Sequence, residues 1–217
     1  MPQVAYYPSL AALLMLLFLC LHGALPMWLM GILELVLGTV LAWLLSFFRD
    51  PLRAIINDPK VLLSPADGTI ADIETVDEPN FIGGRALRIG IFLSVFNVHI
   101  NRAPCTVRVE KITYKKGEFK DARDPNAGMV NESNDVAMTR LREPGDKLLV
   151  RQISGAIARR IVCEIQPGDE LAAGQQFGMI KFGSRTELYL PANGKYTCMV
   201  TIGDKVKAGL NILVRYE

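Results

Sequence analysis

Three short stretches carry side chains whose types and spacing can do chemistry. The first is Phe182-Gly183-Ser184-Arg185. Gly183 has no side chain to shield its carbonyl, and the Ser184 hydroxyl follows directly, so a deprotonated hydroxyl beside a strained backbone can attack the preceding peptide bond. The same dipeptide also makes a plain turn between two strands. The second stretch is Asn97-Val98-His99-Ile100-Asn101-Arg102-Ala103-Pro104. A lone histidine between Val98 and Ile100 reads as a half-buried strand residue, while a His-x-x-Arg pair at a strand end sets a group that titrates near neutrality beside a fixed cation. The third is Ser64-Pro65-Ala66-Asp67-Gly68, where Asp67 fits an Asx turn. Its echo, Pro191-Ala192-Asn193-Gly194, has a neutral amide in the same place, so the turn does not require a carboxylate and Asp67 is open to a chemical role.

Composition narrows the chemistry further. Of the two histidines, His22 lies in an apolar stretch, which leaves His99 alone and excludes a metal site built on several imidazoles. Cys20, Cys105, Cys163 and Cys198 show no C-x-x-C spacing, so neither a zinc knuckle nor a dense disulfide framework is indicated, and a reducing cytosol fits. The formal net charge of +2 gives no basic face for a nucleic acid.

The elements that must position these residues fall into two parts. Residues 1–48 contain no Lys or Arg and a single acid, Glu34. Residues 4–21 and 27–48 are each near the length a helix needs to cross about 30 Å of hydrocarbon, and Gly23 and Pro26 between them make a reversal. Tyr6, Tyr7, Trp28 and Trp43 are rings of the kind that settle near head groups. The expectation is a transmembrane helical hairpin, not a cleaved signal, since no side chain is positive before Arg49. Arg49, Arg53 and Lys60 follow at once and place the remaining domain, 49–217, on the cytoplasmic face of the cell membrane. A shallower, in-plane hairpin is the variant, because Glu34 is costly at mid-bilayer.

Beyond residue 59 the pattern becomes short apolar or alternating runs bounded by Gly, Pro, Asp and Asn: 60–63, 87–93, 107–114, 147–153, 158–165 and 195–202. These predict strands, and 118–134 predicts a long loop. Two internal echoes, residues 65–70 with 191–196 and 168–174 with 203–209, point to related halves. The fold class expected is mainly β (α+β), a barrel- or sandwich-like domain whose turn motifs resemble those of biotinyl and lipoyl domains. That likeness also allows a membrane-anchored, non-enzymatic adaptor, although no Met-Lys-Met carrier mark occurs.

As an ordered set, Phe48-Arg49-Asp50-Pro51, Ser64-Pro65-Ala66-Asp67-Gly68, residues 97–104, Asn131-Glu132-Ser133-Asn134, Ala158-Arg159-Arg160-Ile161-Val162 and Phe182-Gly183-Ser184-Arg185 resemble the phosphatidylserine decarboxylase proenzyme family, short form. The resemblance implies self-cleavage at Gly183-Ser184 into chains 1–183 and 184–217, with Ser184 converted to a pyruvoyl cofactor. It implies no metal and no pyridoxal phosphate, a membrane phospholipid as substrate, and phosphatidylethanolamine as product. An ether-linked archaetidylserine is the alternative substrate.

By position, Asp67 and His99 match the family's processing and catalytic residues. Longer members have a second histidine where this chain has Arg102, so His99 serves self-cleavage, turnover or both. A pyruvoyl carbonyl supplies the electron sink that loss of CO2 requires, and His99 is the candidate acid for the carbon left behind. Arg102 and Arg185 are candidates for the lipid phosphate.

Overall fold

A computed structural model describes residues 3–20, 26–122, 127–156, 160–181, 184–193 and 195–217. The chain divides into two compact units, Met1–Pro51 and Leu52–Glu217.

In the first unit, helices α1 (Gln3–Cys20) and α2 (Met27–Phe47) pack against each other. Among the described residues α2 is the one helix long and apolar enough to cross a membrane, with a mean hydropathy of 2.0. Its 21 residues span about 31 Å at 1.5 Å each. Thr39 Oγ1 donates to the Leu35 carbonyl at 2.8 Å, which lets a hydroxyl sit in an apolar helix without an unmet bond. Most of the reversal expected between the helices, residues 21–25, lies outside the described residues.

The second unit is mainly β. Strands β1 (Val61–Leu63), β2 (Gly68–Glu78), β3 (Gly84–Leu93), β4 (Ile100–Arg102) and β5 (Val107–Lys115) precede one helical turn, α3 (Ala127–Val130). Then come β6 (Ser133–Arg140), β7 (Lys147–Ile153), β8 (Arg160–Cys163), β9 (Glu170–Leu171) and β10 (Gln176–Lys181). The chain ends with β11 (Ser184–Pro191), β12 (Tyr196–Cys198), β13 (Lys205–Val206) and β14 (Ile212–Tyr216). An eight-stranded sheet has the order β13-β2-β3-β11-β7-β6-β5-β9, flanked by two three-stranded sheets, β1-β14-β12 and β4-β10-β8. Bulges between Ile70 and Asp72 and between Val109 and Lys111 bend the large sheet, which curls into a half barrel.

Alternation along the central strands places Ile89, Ile91 and Leu93 of β3, Leu188 and Leu190 of β11, Val136 and Met138 of β6, and Leu148 and Val150 of β7 in one core. The predicted runs 87–93, 107–114 and 147–153 lie within β3, β5 and β7. The predicted loop 118–134 is only partly one, for its last two residues open β6. Asn131 holds Lys120: its side-chain amide donates to the carbonyls of Lys120 and Ser154 and accepts from Lys120 N, each at 2.9 Å, standing in for a strand partner.

The sequence echo is a structural one. Gly168 and Gly203 share φ near +97°, Gly174 and Gly209 share φ near +73°, and the loops they bound lead into β9 and β13, the two edges of the large sheet. Ile55 fills the space where a Cβ on either Gly174 or Gly209 would fall, at 2.5 Å and 2.7 Å, so only glycine fits at both positions.

Candidate active site

Ser184 is the first residue of β11 and pairs with Leu93, the last of β3. It is wholly buried, and its hydroxyl has no hydrogen-bond partner among the described residues. An orphaned buried hydroxyl costs about 1–3 kcal/mol. Phe182 and Gly183 lie outside the described residues.

His99 is brought close to this strand end by the connections on either side of it. Leu93 is paired to Ser184, and six residues later the His99 carbonyl accepts a bond from Ile180 N at 3.1 Å. The 93–99 segment is therefore pinned at both ends to the two strands, β10 and β11, that flank the Gly183-Ser184 junction. His99 is also fully buried, with Nδ1 2.9 Å from the Asn97 carbonyl. A carbonyl only accepts, so Nδ1 carries the proton in this contact.

Asp67 sits where β2 begins. A Cβ on the adjoining Gly68 would fall 2.2 Å from the Phe92 carbonyl, so the absence of a side chain there is what lets this turn close on the end of β3. Arg53 Nη1 and Nη2 donate to Asp67 Oδ1 and Oδ2 at 2.6 Å and 2.9 Å, and Ala208 N donates to Oδ1 at 2.8 Å. With Arg53 and Asp67 side chains 4% and 9% exposed, this is a buried, bidentate pair.

A chain of side-chain amides crosses the core face beside Ser184. Asn134 Nδ2 donates to Gln152 Oε1 at 3.0 Å, Gln152 Nε2 to Asn101 Oδ1 at 2.9 Å, and Asn101 Nδ2 to Thr186 Oγ1 at 3.0 Å. All four residues are buried. Thr186 is two residues from Ser184 and Asn101 two from His99, so the chain fixes β4 against β11 just where both candidate groups lie.

The opposite face of β11 is ionic. Arg185 Nε donates to Glu187 Oε1 at 2.8 Å and Nη2 to Asp72, and Glu187 also takes the Tyr189 hydroxyl. Arg185 is 1% exposed, and its guanidinium is engaged by Asp72 and Glu187. Arg102, half-buried, donates to the Gly174 carbonyl at 3.0 Å. Lys181, the last residue of β10, is buried, and burial followed by repulsion from Arg160 lowers its pKa.

Sequence reading passed over Gln152, Thr186, Asp72 and Glu187. The last is the most legible in retrospect, since Arg185, Glu187 and Tyr189 fall at every second position and so on one strand face. Among the described residues no three His, Cys, Asp or Glu side chains gather to hold a metal ion. A cavity of about 560 Å³ lined by Glu78, Lys111, Asp135 and Arg151 includes none of Ser184, His99 or Asp67.

Comparison with known proteins gives a consistent result. The family model described as phosphatidylserine decarboxylase matches residues 40–214. A protein of Desulfotalea psychrophila named phosphatidylserine decarboxylase proenzyme is 46% identical over 79% of this chain and 78% of its own. A protein of the same name from Carboxydothermus hydrogenoformans is 41% identical over 100% of this chain and 98% of its own, and one from Cupriavidus metallidurans is 42% identical over 88% and 82%.

Proposed function

Because the chain belongs to the phosphatidylserine decarboxylase family, we propose a self-processing enzyme whose reacting group is made from Ser184 and whose proton carrier is His99. Its reaction is the decarboxylation of phosphatidylserine to phosphatidylethanolamine and CO2. The observation that carries the assignment is the Ser184 hydroxyl, buried without a partner at the head of β11.

In the self-cleavage, Ser184 Oγ gives its proton to His99 Nε2 and attacks the Gly183 carbonyl, so that the peptide C–N bond is replaced by an ester. Elimination at residue 184 then frees the Gly183 carboxylate, and water replaces the amino nitrogen, which leaves as ammonia. The products are chains 1–183 and 184–217, the second capped by a pyruvoyl group. That carbonyl supplies the electron sink for loss of CO2 from the substrate's amine-bearing carbon. His99 holds the proton returned to that carbon, and the dry environment around it favours the transfer.

Asp67 is required for self-cleavage and is held for it by Arg53 and Ala208 N. Arg102 remains the candidate for the lipid phosphate. Helices α1 and α2 form a hairpin that holds the domain at the cytoplasmic face of the membrane, a reading supported by the length and hydropathy of α2 and by Arg49, Arg53 and Lys60 after it. The paired glycine loops support a likeness to biotinyl and lipoyl domains.

Intact-mass measurement of purified protein tests the assignment. Two chains cut before Ser184 are expected, while Ser184→Ala stays a single 24.0 kDa chain and releases no CO2 from phosphatidylserine. An uncut chain that turns over the lipid overturns it.

A further inference from the structure

The connection between Leu93 and His99 does more than join two strands. Asn97 Oδ1 accepts from Ser94 N at 2.9 Å and from Ser94 Oγ at 2.8 Å, and Asn97 N donates to the Ser94 carbonyl at 2.9 Å. Three bonds across four residues make a rigid turn with Val95 and Phe96 at its tip. Phe96 is 74% exposed. Isolated exposed apolar residues are common and carry no message by themselves. This one is different in its placement: the turn that displays it is fixed at one end beside Ser184 and at the other by His99.

A second exposed apolar side chain is linked to the same turn through a short run of contacts. Leu52 is fully exposed and immediately precedes Arg53, whose guanidinium grips Asp67. Gly68, which follows Asp67, in turn lies against the Phe92 carbonyl, four residues before Phe96. Both residues forgo the stabilisation that burial would bring.

Resting on the decarboxylase reading above, we propose that the Ser94–Asn97 turn enters the lipid surface, with Phe96 as the inserted side chain and Leu52 beside it, so that the mouth of the site opens within the bilayer interface. The occupant is a phospholipid bilayer. A diacyl substrate gives up about 0.8 kcal/mol for each CH2 drawn into water, so a site that dips into the interface spares it that loss.

The test uses the processed, full-length enzyme on two substrates: phosphatidylserine in phosphatidylcholine vesicles, and monomeric dihexanoyl phosphatidylserine. Phe96→Ser is expected to lower kcat/KM on vesicles about 10-fold or more and to leave the monomeric substrate within about twofold, while Phe96→Leu restores most of the vesicle activity. Equal losses on both substrates, or no loss on either, overturn the proposal. Phe96→Trp gives a second reading: against the background of Trp28 and Trp43, it should add emission quenched by dibrominated phosphatidylcholine in the vesicles, and an unquenched added component counts against insertion. Failure of the wild type on both substrates would instead mark the failure of the decarboxylase assignment.

Discussion

Arg185 reaches Asp72 across the backbone of Gly90, and it can do so only because Gly90 has no side chain: a Cβ there would lie 2.2 Å from Arg185 Nη2. The pair ties β11 to β2 over the intervening β3. Arg88 adds its guanidinium to Asp72 at 3.3 Å, so the carboxylate is shared between two cations. Ser184 is one residue away on the other face, and after self-cleavage it would head a free strand end. A side chain anchored at the second residue keeps such an end from fraying.

Gly90→Ala should therefore act on the site although it touches neither Ser184 nor His99. Displacing Arg185 leaves Glu187, fully buried, without its cation, and loss of one partner of a buried pair costs about 3–5 kcal/mol. We expect a lowered unfolding midpoint in urea and slower self-cleavage, followed by gel over time. Arg185→Lys should recover part of both, because a lysine keeps the charge but not the two-pronged geometry.

The amide chain supports a separate expectation. Gln152→Leu keeps the volume nearly constant but strands Asn134 Nδ2 and Asn101 Oδ1 in the core, at about 1–3 kcal/mol for each unmet group. Since Asn101 is what holds Thr186, the variant should cleave more slowly than its loss of stability accounts for. Comparing cleavage rates at matched distance from the unfolding midpoint measures the difference.

These two networks also explain what the sequence did and did not disclose. Strands such as 87–93 and 147–153 were legible because their apolar residues line one core. The β11 sequence, Ser-Arg-Thr-Glu-Leu-Tyr-Leu-Pro, looks half-polar yet is buried along nearly its whole length, because Thr186 is met by Asn101 of β4, Arg185 by Asp72 of β2, and Glu187 takes both Arg185 and the Tyr189 hydroxyl. Local composition cannot show that. The same limit governs the site: Ser184, His99 and Asp67 stand out by motif, whereas Gln152, Asp72 and Glu187 matter only through residues 18 to 113 positions away or two positions along a strand whose burial was not apparent. The ion-pair partners of Arg185, Asp72 and Glu187, are hidden for the related reason that an arginine in a motif reads as a ligand-binding group until its face of the strand is known.

Alkaline pH should weaken the fold through Cys105. Burial pushes its thiol from 9.0 up to about 11, with Arg140 opposing only in part. Between those values the unfolded chain has released the proton and the folded chain still holds it, so stability present below pH 9 is lost as pH rises toward 11. Two pH units correspond to about 2–3 kcal/mol. Between pH 8 and 10.5, Cys105→Ala should lose about 2 kcal/mol less than the wild type in urea unfolding, the raised Tyr196 contributing alike to both.

Asp67 offers the sharpest separation of holding from acting. Its carboxylate closes a clasp with Arg53 and Ala208 N, and removing either charged partner leaves the other buried alone, so Asp67→Asn and Arg53→Gln should both lower the urea midpoint, by about 3–5 kcal/mol. Self-cleavage should divide them. Arg53→Gln retains the carboxylate and is expected to cut, more slowly, into chains 1–183 and 184–217. Asp67→Asn retains the shape of the turn and the means to accept the Ala208 bond, but has no carboxylate, and is expected to remain a single chain. If instead both variants stay uncut at equal stability, the requirement lies in the ion pair and Asp67 acts only by closing the turn. If both cut at the same reduced rate, the carboxylate takes no part in the reaction. Mass spectra of the two proteins after identical incubation decide among these outcomes.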